Sequence, residues 1–139
     1  MARILVIDDD PHIRTIIEAF LMRDDHEIDL AENGVEGLKQ NSLREYDMVI
    51  TDIIMPIKDG FEVVMELKQL FPHIRIIAMS GGTVGLDSSY LLKTAHLMGA
   101  DRVLTKPLDF KKLQMVVNEV LALPQLINGT APRLLETQP

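Results

Sequence analysis

Short apolar runs and longer amphipathic stretches alternate along this chain. The runs at residues 4–7, 28–31, 48–51, 74–79 and 102–105 are brief and rich in Ile, Val and Leu, as strands covered on both faces tend to be. The run at 28–31 is the weakest and predicts an edge strand, whereas those at 4–7, 48–51 and 74–79 predict central ones. Between the runs, apolar residues recur at helical spacing. Ile13, Ile16, Ile17, Phe20 and Leu21 follow the i, i+3, i+4, i+7, i+8 pattern and give a first helix one continuous apolar face. Phe61, Val64, Leu67 and Phe71 do the same after Gly60, and Phe110, Leu113, Val116 or Val117, and Val120 do so after Asp109. Local punctuation agrees with this division. Pro11 suits the first turn of the first helix, and Asn33-Gly34 marks a turn before a short second helix near 35–43. Pro72 stops the third helix, Gly99 ends a fourth over about 88–98, and Asp109 is placed to cap the fifth.

Alternating strands and helices of this length predict an α/β fold, a parallel sheet with helices on both faces joined by right-handed crossovers. Periodicity does not set the strand order. In such sheets a ligand site lies outside the carboxyl ends of the strands. Residues 1–123 account for the alternation. From Pro124 to Pro139 there are three prolines and no helical period, which predicts a flexible tail or linker over 124–139.

Composition narrows the class. A length of 139 residues, 47% of them hydrophobic, suffices for one domain with an unstapled core. With no cysteine, neither a disulfide framework nor a thiolate metal site is available. The opening apolar run at 4–7 is too short for a signal peptide, and no stretch approaches the roughly 18 apolar residues of a membrane span. A soluble cytoplasmic protein with no membrane insertion is therefore expected. The formal charge of −7, from 14 basic and 21 acidic residues, argues against direct DNA binding, which rests on neutralising phosphates with Lys and Arg.

The candidate chemistry sits where the strands end. Asp8, Asp9 and Asp10 follow the first run, Asp52 follows the third, Ser80 the fourth, and Lys106-Pro107 the fifth. Taken singly, each has an ordinary reading: turn aspartates, a turn serine before Gly81-Gly82, a surface lysine. Their placement at matching strand ends favours a shared site for a hard divalent cation and a phosphoryl group. Asp9 and Asp52 are expected to ligate Mg²⁺, with water and the carbonyl of Ile54 filling part of the shell. Asp52 would keep an oxygen free to attack phosphorus, Lys106 would supply a compact cation, and Ser80 a hydroxyl donor. The added phosphoryl charge would repack the loop through Gly81, Gly82, Thr83, Val84 and Gly85 and the helix behind it.

With Val6-Ile7-Asp8-Asp9-Asp10-Pro11, Thr51-Asp52-Ile53-Ile54-Met55-Pro56, Asp59-Gly60, Ala78-Met79-Ser80-Gly81 and Thr105-Lys106-Pro107 in this order, the chain resembles the receiver domains of two-component response regulators, single-domain type. The resemblance covers about residues 3–123. It implies a flavodoxin-like doubly wound five-stranded parallel sheet of order 2-1-3-4-5. It further implies Asp52 as phosphoacceptor, Asp8 and Asp9 as the acidic pair around Mg²⁺, with Asp9 the direct ligand and Asp8 acting mostly through water, and Ser80 and Lys106 as the hydroxyl and ammonium of the site. The implied phosphoryl donor is a sensor histidine kinase or a histidine phosphotransfer protein, and the implied output is contact with a downstream protein target. Such a domain catalyses its own phosphorylation and hydrolysis without turning over an external substrate.

Two departures and several surfaces carry further expectations. Many members have Tyr or Phe three residues before the lysine, and this chain has Val103 there, so an aromatic switch coupled to Ser80 is missing. Ile54 and Gly82 occupy positions at which members tune dephosphorylation, and an apolar Ile54 predicts slow hydrolysis. Kinase docking is expected on the exposed side of the first helix near His12, Arg14 and Thr15, and dimerisation, if any, through the fourth helix, fifth strand and fifth helix. Tyr90, Leu92 and Leu97 are expected to be partly buried packing residues. An aspartyl phosphohydrolase would need a second acid two residues after the nucleophile, where Ile54 stands. A flavin-binding domain would not place acids at the first strand end. The remaining alternative is an interaction module of the same fold that is not phosphorylated.

Overall fold

Alternate residues of one strand must point to opposite faces, so a strand apolar at every position belongs between two layers of helices. The computed structural model describes residues 1–81 and 88–124 and bears this out. Its elements are β1 (Arg3–Ile7), α1 (Pro11–Met22), β2 (Glu27–Ala31), α2 (Gly34–Leu43), β3 (Met48–Asp52), α3 (Gly60–Leu70), β4 (Arg75–Ser80), α4 (Ser88–Met98), β5 (Arg102–Thr105) and α5 (Phe110–Leu121). The expected loop through Gly82, Thr83, Val84 and Gly85 and the expected tail beyond Pro124 lie outside the described residues.

The strands form one parallel sheet in the order β2-β1-β3-β4-β5, with β2 at an edge. Leu5 and Ile7 of β1 join Val49, Ile76 and Ala78 in a core closed by Val63, Val64 and Leu67 of α3 and Ala95 of α4. On the other face Ile4 and Val6 join Met48, Ile50, Ile77 and Met79 beneath Ile17 and Leu21 of α1 and Leu113, Val117 and Val120 of α5. Each such Ile, Leu or Val contributes about 1.5–3 kcal/mol through burial, which makes this double-sided core the main source of stability. Phe20 of α1 stacks on Phe110 of α5 with ring centroids 5.4 Å apart, and the Arg23 guanidinium lies 4.3 Å above the Phe20 ring. Both helices are tied further by Asp24, whose carboxylate accepts from the amides of Gln114 and Asn118 at 3.0 Å.

Helix starts are set by short polar side chains that accept otherwise orphaned backbone N–H groups. Asp109 caps α5 as expected, accepting from Lys111 and Lys112 N–H, and Pro11 opens α1. Asp10 caps α1, Asn33 caps α2 and Asp59 caps α3. The last aspartate of the acidic run is thus a helix cap.

Several expectations are corrected. Ile74, expected to open the fourth strand, is a buried loop residue: its N–H turns back to Phe71 and its carbonyl accepts from Lys68, which leaves neither for the ladder. The strand instead extends through Ser80. Phe71 ends α3 as its C-cap. Ile16 is 39% exposed, because it lies about 100° round the helix from buried Ile17, on the flank of the inward face. Tyr90 and Leu97 are not packing residues: seven positions apart on α4, they share its outward stripe and are 62% and 81% exposed, while Ala95 meets the sheet. The side chain of Leu92 lies outside those described.

Gly60 marks the tightest backbone approach near the sheet's carboxyl end. Its N–H donates to the Ile53 carbonyl at 2.7 Å, and a Cβ there would overlap the Asp52 carbonyl oxygen and lie 2.6 Å from the Ile53 Cα. Backbone cannot swing aside as a side-chain tip does. Gly60→Ala is therefore expected to lower stability by about 3 kcal/mol in urea titration. Gly81→Ala, whose Cβ would meet nothing closer than the Lys106 Cβ at 3.4 Å, is expected to change it by less than about 1 kcal/mol.

Candidate functional site

Parallel register decides which residues meet at the strand ends. Ile7 pairs with Thr51, Asp52 with Met79, and Ser80 with Thr105, so Asp8, Asp52, Ser80 and Lys106 emerge together at the carboxyl edge of four adjacent strands. Asp8 and Ser80 are fully buried and Asp52 nearly so, whereas Asp9 is exposed. Ile54, in the loop after β3, is 37% exposed.

The side chains of Asp8, Asp52 and Lys106 converge. Lys106 donates from Nζ to Asp8 Oδ2 at 2.9 Å and to Asp52 Oδ2 at 3.1 Å, bridging carboxylates that arise 44 residues apart. Its own N–H donates to the Ser80 carbonyl at 3.0 Å, which fixes its backbone against β4. Asp8 Oδ1 accepts from Asp10 N–H at 2.9 Å, and the Asp8 N–H donates to the Ala31 carbonyl at 3.2 Å. Beneath the site Thr51 Oγ1 donates to the Asp52 carbonyl at 3.0 Å. That buried hydroxyl escaped the sequence reading, since a threonine inside a strand carries no signal of its bond.

Burial raises the Asp52 carboxyl to about 6; Lys106 pulls it down, and the charges of Asp8 and Asp9 push it up again. For Lys106 burial acts downward, yet the hydrogen bond to Asp8 and the charges of Asp52 and Asp8 prevail and raise it. Lys106 therefore stays charged. Three carboxylates against one ammonium leave two formal negative charges, the complement of a divalent cation.

The donor set suits Mg²⁺. Asp8, Asp9 and Asp52 each offer a carboxylate oxygen, all within 4.8 Å of one another. Octahedral Mg²⁺ with oxygens at about 2.1 Å separates its ligands by about 3–4 Å, so modest side-chain rotation closes the difference. Three carboxylate oxygens leave the other positions of a six-coordinate ion to water, a backbone carbonyl and a phosphate oxygen.

Of the surface expected for docking, His12 and Thr15 are exposed, with Thr15 Oγ1 donating to the Pro11 carbonyl at 3.0 Å. Arg14 is different: it is half-buried and donates from Nη1 to the Asp8 carbonyl at 2.6 Å. Sequence spacing gave no hint of that contact. Val103 is half-buried, with no aromatic ring at its place.

Comparison with known proteins agrees with this geometry. Residues 4–118 match the family described as the response regulator receiver domain. The chain is 37% identical over 119 residues to the transcriptional regulatory protein ZraR of Klebsiella oxytoca, covering 86% of this chain and 26% of that protein. It thus spans only about a quarter of the length of ZraR. It is 31% identical over 119 residues to the chemotaxis protein CheY of Halobacterium salinarum, covering 86% of this chain and 96% of that one. Among solved structures it resembles the response regulator TrrA of Thermotoga maritima in complex with Mg²⁺-BeF, with 36% identity and a TM-score of 0.75, covering 86% of this chain and 99% of that one.

Because the folded-state pKa of Asp52 lies above that of an unfolded aspartate, the native protein holds a proton that the unfolded chain releases. Stability of the metal-free protein from this group is then lowest above pH 6 and recovers as the pH falls toward 4. Asp52→Asn is expected to stabilise the chelator-treated protein by about 2 kcal/mol at pH 7.5 and to remove this part of the pH dependence, both read from urea titrations. Mg²⁺ should raise the unfolding midpoint of the parent chain and leave that of Asp52→Asn nearly unmoved.

Proposed function

The chain belongs to the response regulator receiver family, and from this premise we propose that it accepts a phosphoryl group on Asp52 from a phosphohistidine of a sensor histidine kinase or histidine phosphotransfer protein. The observation that carries this reading is the Lys106 ammonium held between Asp8 and Asp52 at the common edge of the sheet. In the transfer an Asp52 oxygen attacks phosphorus, the phosphorus–nitrogen bond breaks, and the imidazole nitrogen leaves with the bonding pair and takes up a proton. The product is an acyl phosphate on Asp52.

Asp8, Asp9 and Asp52, with the Ile54 carbonyl, would hold Mg²⁺, which supplies charge neutralisation for carboxylates and phosphoryl oxygens alike. Lys106 already lies within hydrogen-bond distance of Asp52, so it meets the phosphoryl oxygens by a small movement. Ser80, the last residue of β4, offers its hydroxyl to another of these oxygens. Ile54 has no polar group to orient water, so the acyl phosphate hydrolyses slowly. The reaction is self-modification, with no external substrate turned over.

The phosphorylated domain signals by protein contact, reading out through the α4, β5 and α5 face, on which Tyr90 and Leu97 of α4 are exposed. Residues 1–123 form the receiver. No described helix is long and apolar enough to cross a membrane.

Intact mass spectrometry after incubation with acetyl phosphate and Mg²⁺ tests the reading. One phosphoryl adduct is expected on the parent chain, and none on Asp52→Asn or in chelator. A folded chain that takes up no adduct would point instead to an unphosphorylated interaction module. Ile54→Gln, which places an amide beside the scissile bond, is expected to shorten the adduct lifetime roughly tenfold. An unchanged lifetime would mean that water is oriented by another group.

A further inference from the structure

Asp8 and Asp9 adjoin in sequence but are held in opposite ways. Every polar group of Asp8 has a protein partner: its N–H donates to Ala31, its carbonyl accepts from Arg14, Oδ1 accepts from Asp10 N–H, and Oδ2 accepts from Lys106. Asp9 is exposed, and its carboxylate has no hydrogen-bond or ion-pair partner among the described residues. Its backbone alone therefore limits where that carboxylate can reach. On one side that backbone is fixed by the bond from Asp10 N–H to Asp8 Oδ1, on the other by the Arg14 bond to the Asp8 carbonyl, the oxygen of the peptide that joins Asp8 to Asp9.

Arg14 is suited to this task. β1 ends at Ile7, so no neighbouring strand supplies a donor to the buried Asp8 carbonyl. From the second turn of α1 the Arg14 side chain reaches back six residues and donates at 2.6 Å. Its own N–H donates to the Asp10 carbonyl at 3.1 Å, so the same residue secures both ends of the turn. The guanidinium has no carboxylate partner among the described residues, which marks it as a hydrogen-bonding clamp on the backbone and not as one half of an ion pair.

We propose that Arg14 is a positioning residue for the metal site: by clamping the Asp8–Asp9 peptide it aims the otherwise unrestrained Asp9 carboxylate at the oxygens of Asp8 and Asp52. The inference rests on the reading of these three acids as a Mg²⁺ site. Two physical effects of removing Arg14 have opposite signs. Loss of a nearby positive charge tightens the hold of an acidic site on a cation, whereas loss of the clamp loosens it. The sign of the change therefore separates the two roles.

Calorimetric titration of the full chain with Mg²⁺ alone, beside unfolding in chelator, tests this. Arg14→Met keeps the aliphatic stem and removes donor and charge; its Mg²⁺ dissociation constant is expected to rise about tenfold, as is usual when a partner behind a metal ligand is lost. Arg14→Lys restores one donor at similar reach, and one donor is all that the bond uses, so most of the affinity should return. An unchanged or tighter constant for Arg14→Met would overturn the proposal, as would equal weakening in Arg14→Lys. If Arg14→Met does not fold, Arg14→Gln decides by the same criterion: its shorter side chain does not span the gap. A parent chain that binds no Mg²⁺ would instead overturn the reading of the acidic cluster, a result distinguishable from failure of the clamp.

Discussion

One ammonium held between two buried carboxylates organises this molecule. Lys106 comes from beyond the edge strand β5, Asp8 from just beyond β1 and Asp52 from the end of β3, and β4 lies between β3 and β5. For the contact to exist the register of all four strands must be correct, since a slip of one residue turns every side chain to the other face. The contact does not complete the electrostatics. A single cation leaves the acidic cluster under-neutralised, and burial makes Asp52 reluctant to ionise. The double-sided core holds in place a site that would relax if it were free to do so, and a divalent cation or a transferable phosphoryl group finds there a field already arranged for it.

The backbone around the site is restrained more tightly than the side chains it presents. Gly60 brings the start of α3 against the end of β3, and Asp59 caps that helix. Lys58 ties the same loop to Glu66 at 3.0 Å. On the other side Asp10 caps α1 and Arg14 bonds the Asp8 carbonyl. Against this frame Asp9 and Ile54 stand at the solvent edge, where ligand and partner arrive. Such a division suits transfer chemistry: Asp8, Asp52 and Lys106 are held at buried strand ends, while Asp9 and Ile54 remain open to what arrives.

Much of this was legible in the residues. The strand-end positions of Asp8, Asp52, Ser80 and Lys106 followed from counting apolar runs, and Pro11 and Asp109 announced two helix starts through known backbone chemistry. The failures share a cause. Ile74 is as apolar as a strand residue, but its backbone polar groups are satisfied by Phe71 and Lys68. Tyr90 and Leu97 have the composition of packing residues, yet small Ala95 takes the place against the sheet. Arg14 reads as one more surface charge on an amphipathic helix until the turn from β1 to α1 folds it back. In each case partners distant in the chain, or the shape of a neighbour, outweigh the residue's own preference.

By itself the sequence determined the class of fold, the number and kind of elements, and the chemical types gathered at one end of the sheet. Those properties follow from local periodicity and from residue chemistry, which act over a few positions. Periodicity left the strand order open and the receiver resemblance supplied it, whereas the distances within the acidic cluster, the raised pKa of Asp52 and the partner of Arg14 come from the tertiary structure alone. These depend on burial and on hydrogen bonds between segments far apart in the chain. Desolvation and Coulomb interaction depend on distance in space, which separation along a chain does not encode.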